Sequence, residues 1–186
     1  WFRGPSADLG APIDQSLRFR GAQYLSRTPS SAGNRRTWTL SFWMKNGMTE
    51  SSSTGHTIVY AGTNTSNRTG LTYDNRSSVS PICRLGFYNI NSDTNRPTIF
   101  ADASYRDSSA WYHVVISVDT TDGTAANRAR MFVNGVQVPT TGSDDANQND
   151  DTWFNSTNVH HIGYYPISGS QNYFAGYLAD VYLIDG

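Results

Sequence analysis

Apolar and polar side chains alternate with a period of two over stretch after stretch of this chain, a pattern that points to strands rather than helices. Trp38, Leu40, Phe42 and Met44 alternate with Thr37, Thr39, Ser41 and Trp43. Between Trp111 and Asp119, Tyr112, Val114, Ile116 and Val118 fall on one face, and Trp111, His113, Val115 and Ser117 on the other. Both of those faces are largely apolar, as expected of a strand inside a sheet. Arg84 to Tyr88 alternates Leu85 and Phe87 with Arg84 and Gly86. Shorter strands are predicted at Leu17–Phe19 and Tyr24–Leu25, as a first pair about Gly21, and over 56–61, 71–73, 97–101, 159–164 and 174–184. Asn134-Gly135 lies between β-branched runs, and a two-residue type I′ turn needs positive φ at both central residues, so a hairpin is predicted there. The segments 27–36, 46–55, 62–70, 89–96, 119–127, 140–158 and 165–172 are rich in Ser, Thr, Asn, Asp and Gly and read as loops.

The charged residues agree with the strand pattern. Lys45 is the sole lysine and Glu50 the sole glutamate, so nearly every cation is Arg and nearly every anion Asp. Lys and Glu favour helices, whereas Asp suits turns. The expected fold class is all-β, a two-sheet antiparallel jelly-roll sandwich. At 186 residues the chain is the size of one domain, assigned to 15–186. Residues 1–14, with Gly4, Pro5, Gly10 and Pro12, read as an N-terminal arm or a link to a preceding segment. A start at Trp1 and an apolar end at 183–186 suggest a piece of a larger protein.

A net charge of −1 supplies no field for nucleic acid. Arg35-Arg36 and Arg128 with Arg130 are the local basic groups, expected to be solvated or paired with Asp. No stretch has the length and apolarity of a membrane span, and no signal peptide is visible, so membrane insertion is not expected. Cys83 is the only cysteine, which rules out an internal disulfide; flanked by Ile82 and Leu85, it reads as a small buried hydrophobe.

Several motifs, taken in order, resemble a known family. Ser16-Leu17-Arg18-Phe19, Tyr24-Leu25-Ser26-Arg27 and Trp38-Thr39-Leu40-Ser41-Phe42-Trp43 resemble the opening of laminin-G-like and concanavalin A-like lectin domains. Trp111-Tyr112-His113-Val114-Val115 resembles their central strand, and Phe132-Val133-Asn134-Gly135 their hairpin. His161-Ile162-Gly163 and Phe174-Ala175-Gly176-Tyr177-Leu178-Ala179-Asp180-Val181 resemble their closing strands. The segments 24–39, 155–163 and 176–186 are similar to such domains in virion and fibre proteins of tailed, notably marine, bacteriophages. That resemblance implies a virion component exposed to the outside.

Catalysis is not expected. Glycoside hydrolysis needs two carboxyl groups flanking the bond. With Glu50 alone, the Glu-x-Asp-x-x-Glu arrangement of glucanases with this fold cannot exist, and no paired Asp spacing appears on a strand. No nucleophile elbow is present. His113 matches a structural histidine of the family. His160 and His161, adjacent on a strand, point to opposite faces and cannot share a metal without distortion.

Many members of the superfamily hold calcium at the sandwich rim. Asp144, Asp145, Asn147, Asn149 and Asp151 offer oxygen donors of the type calcium takes, and form the candidate calcium site beside the alternative of a solvated acidic loop. Asp119 and Asp122 are a weaker second place. For sugar, the pool of loop aromatics is Tyr73, Trp153, Phe154, Tyr164, Tyr165 and Tyr173. The candidate carbohydrate-binding residues are Trp153, Asn155, Tyr164, Tyr165 and Tyr173, with Pro166 stiffening the tyrosine pair. Asn64, Asn67, Asn75 and Asn155 lie in sequons that this composition produces by chance.

The resulting expectation is a non-catalytic lectin-like domain on a bacteriophage appendage, at the virion surface, displayed for attachment to host surface glycan. Two alternatives stay open. One is a structural domain decorating a capsid or tail and binding neighbouring virion proteins. The other is a glycan-binding module of a larger secreted protein. Self-association into a homo-oligomer is also left open.

Overall fold

The computed structural model describes residues 13–47, 55–143, 147–166 and 172–186. Their order is β1 (Leu17–Arg20), β2 (Leu25–Arg27), β3 (Thr37–Asn46), β4 (His56–Asn64), β5 (Asn67–Asp74), β6 (Arg84–Asn91), β7 (Thr94–Ala101) and β8 (Tyr112–Asp119). A short 3₁₀ turn (Ala125–Asn127) precedes β9 (Ala129–Val133), β10 (Val136–Gln137), β11 (Thr140–Ser143), β12 (His160–Ile162) and β13 (Ala175–Asp185). The strands form a six-stranded sheet, β1-β13-β3-β8-β9-β10, and a seven-stranded sheet, β11-β7-β6-β5-β4-β12-β2. All pairings are antiparallel, and the two sheets make a jelly-roll sandwich.

The predicted alternation is the burial pattern. Trp38, Leu40, Phe42 and Met44 of β3 and Val114, Ile116 and Val118 of β8 point into the sandwich. They meet Leu71 and Tyr73 of β5, Leu85 and Phe87 of β6 and Ile99 of β7 from the other sheet. Each fully buried large side chain contributes about 1.5–3 kcal/mol. Two of the largest core side chains have paired polar atoms: Trp38 Nε1 donates to Thr152 Oγ1 at 2.8 Å, and Tyr73 Oη donates to the Tyr105 carbonyl at 2.9 Å. Cys83 is buried as expected. The predicted hairpin turn forms between β9 and β10, with φ of 51° at Asn134 and 78° at Gly135.

Several boundaries differ from expectation. The strands flanking Gly21 do not pair with each other: β1 joins β13 in one sheet and β2 joins β12 in the other. The turn, in which the Arg20 N–H donates to Gln23 Oε1 at 2.7 Å, carries the chain across the sandwich. The expected loops 62–70 and 89–96 are instead largely strand, forming the β4–β5 and β6–β7 hairpins. Their backbones pair in the ladder, while Asn64 Oδ1 accepts from the Ser66 N–H and Thr69 Oγ1 donates to Asn89 Oδ1. Within 140–158, Thr140–Ser143 is a strand on the edge of β7. Tyr73 and Phe154, taken for loop aromatics, are wholly buried in the core.

Candidate functional site

At the end of β12 the chain must leave the sheet, and Gly163 makes that possible. Its φ is +82°, and a Cβ there would collide with the Phe19 ring. The Gly163 N–H donates to the Ile58 carbonyl at 2.8 Å, and the Phe174 N–H donates to the Gly163 carbonyl at 3.0 Å. The excursion that starts at Tyr164 therefore closes where it began. Tyr164 and Tyr173, its first and last aromatic residues, are brought face to face. Their rings stack 4.7 Å apart at 16°. Tyr24, just ahead of β2, stacks on Tyr164 from 4.8 Å, and 47% of Tyr24 remains exposed. His161 stands edge-on to Tyr24 and Tyr164, and burial lowers its pKa, which keeps it neutral at pH 7.

The column continues onto the outer face of the seven-stranded sheet. Tyr165 meets the Tyr60 ring edge-on at 5.2 Å. The Arg68 guanidinium lies 5.6 Å from the Tyr88 ring centre and 5.7 Å from that of Tyr165. Burial raises the phenol pKa of Tyr60 and of Tyr88 well above the usual value, so both remain neutral donors. A tyrosine surface backed by a strand-bound arginine can stack on the apolar face of a sugar ring and donate hydrogen bonds to its oxygens.

Of the expected sugar residues, Tyr164, Tyr165 and Tyr173 come together here. Trp153 and Asn155 serve elsewhere. Trp153 packs against the core, its Nε1 donates to Asn91 Oδ1 at 2.8 Å, and Arg35 covers its ring at 5.2 Å. Asn155 is a latch: its Nδ2 donates to the Asn34 carbonyl at 2.9 Å and to Asp185 Oδ1 at 3.1 Å. Its N–H donates to His160 Nε2 at 3.1 Å, while His160 Nδ1 bonds the Asn158 carbonyl. Tyr24, Tyr60, Arg68 and Tyr88 were not anticipated as site residues. Each lies on or beside a strand, and nothing in their local sequence marks them.

The expected calcium ligands divide. Asp144 and Asp145 lie outside the described residues. Asn149 donates its N–H to the Thr120 carbonyl, and Asn147 accepts from the Asp150 N–H through its own carbonyl. The Asp151 carboxylate is held by Arg36 Nε at 2.7 Å and Arg35 Nη1 at 3.4 Å. Two guanidinium groups on that carboxylate compete with a cation for Asp151. Asp119 and Asp122 cap their own turns through Thr121 and Thr124. Among the described residues, no three His, Cys, Asp or Glu side chains cluster to hold a metal.

A second feature is a cleft of about 740 Å³ at one corner of the sandwich. Leu25, Leu40, Val59, Phe154 and Ile162 line it, with Asn155 and Asp185 at hand. It lies beside the latter half of β13, which pairs with β3 on one side and, among the described residues, with no strand on the other.

Residues 19–186 match the Laminin_G_3 family, described as the concanavalin A-like lectin/glucanases superfamily. No curated protein sequence matches the chain. Among solved structures, the mouse laminin alpha1 chain, domains LG4-5, has 14% identity and a TM-score of 0.61, with 94% of this chain and 43% of that one covered. The Ruminococcus gnavus IT-sialidase CBM40 has 14% identity and a TM-score of 0.57, covering 86% of this chain and 91% of that one. The botulinum neurotoxin serotype D binding domain has 12% identity and a TM-score of 0.58, covering 91% and 38%. The chain thus spans about two-fifths of the laminin and neurotoxin chains, and at these identities the likeness is one of fold. With the two-sheet architecture, the Asn134-Gly135 hairpin and a family match over nearly its whole length, the chain belongs to the Laminin_G_3 family of the concanavalin A-like lectin/glucanases superfamily.

Proposed function

We propose that this domain is a non-catalytic, lectin-like module that binds surface glycan through the tyrosine surface of Tyr24, Tyr164 and Tyr173. The observation that carries the reading is the column itself. Three rings are stacked on a backbone closure at Gly163 and Phe174, and the outermost is half exposed. Rigid, partly exposed aromatics are what sugar stacking requires, and aromatic rings held by a closed loop lose little entropy on binding. The resemblance of 24–39, 155–163 and 176–186 to bacteriophage virion domains supports a place on a phage appendage, facing host glycan. A glycan-binding module of a secreted protein would use the same surface.

The test is a glycan array with the wild type, Tyr24→Ala and Tyr173→Ala, each checked for folding by circular dichroism. Binding by the wild type and a loss of about tenfold or more in both folded variants is expected. Equal binding by the variants would move the site elsewhere, and no binding by the wild type would end the glycan reading.

A structural role toward neighbouring virion proteins has its own support. Tyr182, Leu183 and Ile184, on the half of β13 whose outer edge meets no strand among the described residues, and Leu25 across the cleft, are exposed apolar side chains, with Tyr182 58% exposed. Apolar groups gathered along an open strand edge favour protein contact.

A further inference from the structure

The excursion from Tyr164 to Tyr173 is tied at both ends to one strand, β4. At its start, the Gly163 N–H donates to the Ile58 carbonyl at 2.8 Å. At its end, the side chain of His56, two residues before Ile58, bonds the Tyr173 carbonyl through Nδ1 at 2.8 Å. The two partners are 117 positions apart in the chain. A carbonyl oxygen only accepts, so His56 Nδ1 carries the hydrogen and donates.

The Tyr173 carbonyl and the Phe174 N–H belong to one peptide unit. That N–H donates to the Gly163 carbonyl at 3.0 Å. The unit is therefore gripped at both of its polar groups, by backbone on one side and by His56 on the other. A peptide unit is planar. Held at one polar group it can still rock about that bond. Held at both, its plane is set, and so is the backbone from which the Tyr173 side chain departs. The Tyr173 ring then lies on Tyr164 at 4.7 Å and 16°, more nearly parallel than Tyr24 on the other side at 30°.

His56 is itself well supported. It pairs with Tyr73 in the β4–β5 ladder and lies beside Asn75 and the buried Asp74. Asp74 is fixed in turn by Arg76. The side chain that reaches Tyr173 thus comes from a rigid part of the seven-stranded sheet, which is what a precisely placed binding ring needs behind it.

We propose that His56 is the positioning residue of the tyrosine surface: by holding the Tyr173 carbonyl it sets the ring on which a sugar stacks, without touching the sugar itself. The proposal rests on the glycan-binding reading above and names a residue on which that site depends.

The test compares the wild type with His56→Phe, which keeps an aromatic ring and loses the donor, and with His56→Asn, whose Nδ2 stands where Nδ1 donates. Tyr164 lies between Tyr24 and Tyr173, so its ring protons are shielded from both sides and report the stack by NMR. The wild type and His56→Asn should keep the upfield Tyr164 ring resonances. His56→Phe should shift them toward the unstacked position, as far as Tyr173→Ala does. On a glycan array, His56→Phe should bind about five- to tenfold more weakly than the wild type, and His56→Asn within about twofold of it. In the wild type alone, nitrogen shifts at pH 7.5 should show His56 protonated at Nδ1. A ring protonated at Nε2 instead would overturn the proposal without recourse to any variant. A folded His56→Phe protein with wild-type Tyr164 resonances would overturn it as well, by showing that Gly163 and Phe174 orient Tyr173 unaided. Equal losses in His56→Phe and His56→Asn would do the same, because the effect would not depend on the donor. If the wild type captures no glycan, the glycan reading falls, and the Tyr164 resonances still decide whether His56 holds the ring.

Discussion

Two arginine environments on the same sheet have opposite designs. At the β5–β6 end, Asp74 is buried and its carboxylate is gripped by Arg76 from Nε at 2.8 Å and Nη2 at 2.7 Å, with Arg84 at 4.0 Å. Six residues earlier on β5, Arg68 faces the rings of Tyr88 and Tyr165 and, among the described residues, no carboxylate. The desolvation of Asp74 raises its pKa, but the hydrogen bonds and charge of Arg76, helped by Arg84, outweigh that, and the net shift is downward. The first environment is closed and serves the fold. The second leaves Arg68 Nε and Nη1 without a hydrogen-bond partner among the described residues.

Replacing a member of each should therefore have opposite consequences. Asp74→Ala leaves two guanidinium groups without their anion and should cost about 2–4 kcal/mol in urea unfolding, discounted because Arg76 is partly exposed. Arg68→Met removes an unpaired charge and should be neutral or stabilising by up to about 1 kcal/mol. If Arg68→Met destabilises as much as Asp74→Ala, Arg68 is a structural residue and the contrast collapses.

At the β9–β10 hairpin, by contrast, the turn residue is satisfied on both sides. Asn134 accepts the His113 N–H through Oδ1 at 2.9 Å and donates its own N–H to the His113 carbonyl at 2.8 Å. Asn134→Val loses the side-chain bond and puts a β-branched residue at positive φ. A loss of about 1–2 kcal/mol is expected. An unchanged melting temperature would show that the turn is not under that constraint.

The smallest effect expected is on pH dependence. Burial, the leading cause in each case, lowers the pKa of His56, His160 and His161 below the ordinary value of 6.5. The folded protein keeps these rings neutral, while the unfolded chain takes up protons first as pH falls. Their contribution is full above about pH 6.5 and declines as pH drops from there toward the lowered folded values. Urea midpoints should fall between pH 7.5 and 5.5, and His161→Gln should flatten part of that slope. A midpoint that rises with acidification would contradict the assigned sign.

Residue by residue, the legible parts were those governed by near neighbours. Asn134-Gly135 could be read as a turn because its φ requirement belongs to two residues. Trp38 to Met44 could be read as a half-buried strand because alternation is a property of one strand. Tyr164 and Tyr173 were singled out as aromatics beside polar residues, whereas the bond from Phe174 to Gly163 that stacks them was not visible. Phe154 misled because it sits in a run of Asp, Thr, Asn and Ser, and only its contact with Trp38 at 5.1 Å places it in the core.

The strand character of the chain, its hairpin, its two-sheet fold and the lack of a strong field for nucleic acid could all be read from residue order and composition. It also excluded the glutamate-based hydrolytic arrangement, since Glu50 stands alone. Which sheet β1 and β2 enter, and which side chains share the face of Tyr60, follow from strand pairing in three dimensions. The reason is the range of the forces involved. Side-chain period and turn dihedrals act over a few residues. The Tyr60 row is assembled by register between residues as far apart as 60, 88 and 161, and a slip of one residue in any of those pairings would turn a strand's side chains to the opposite face.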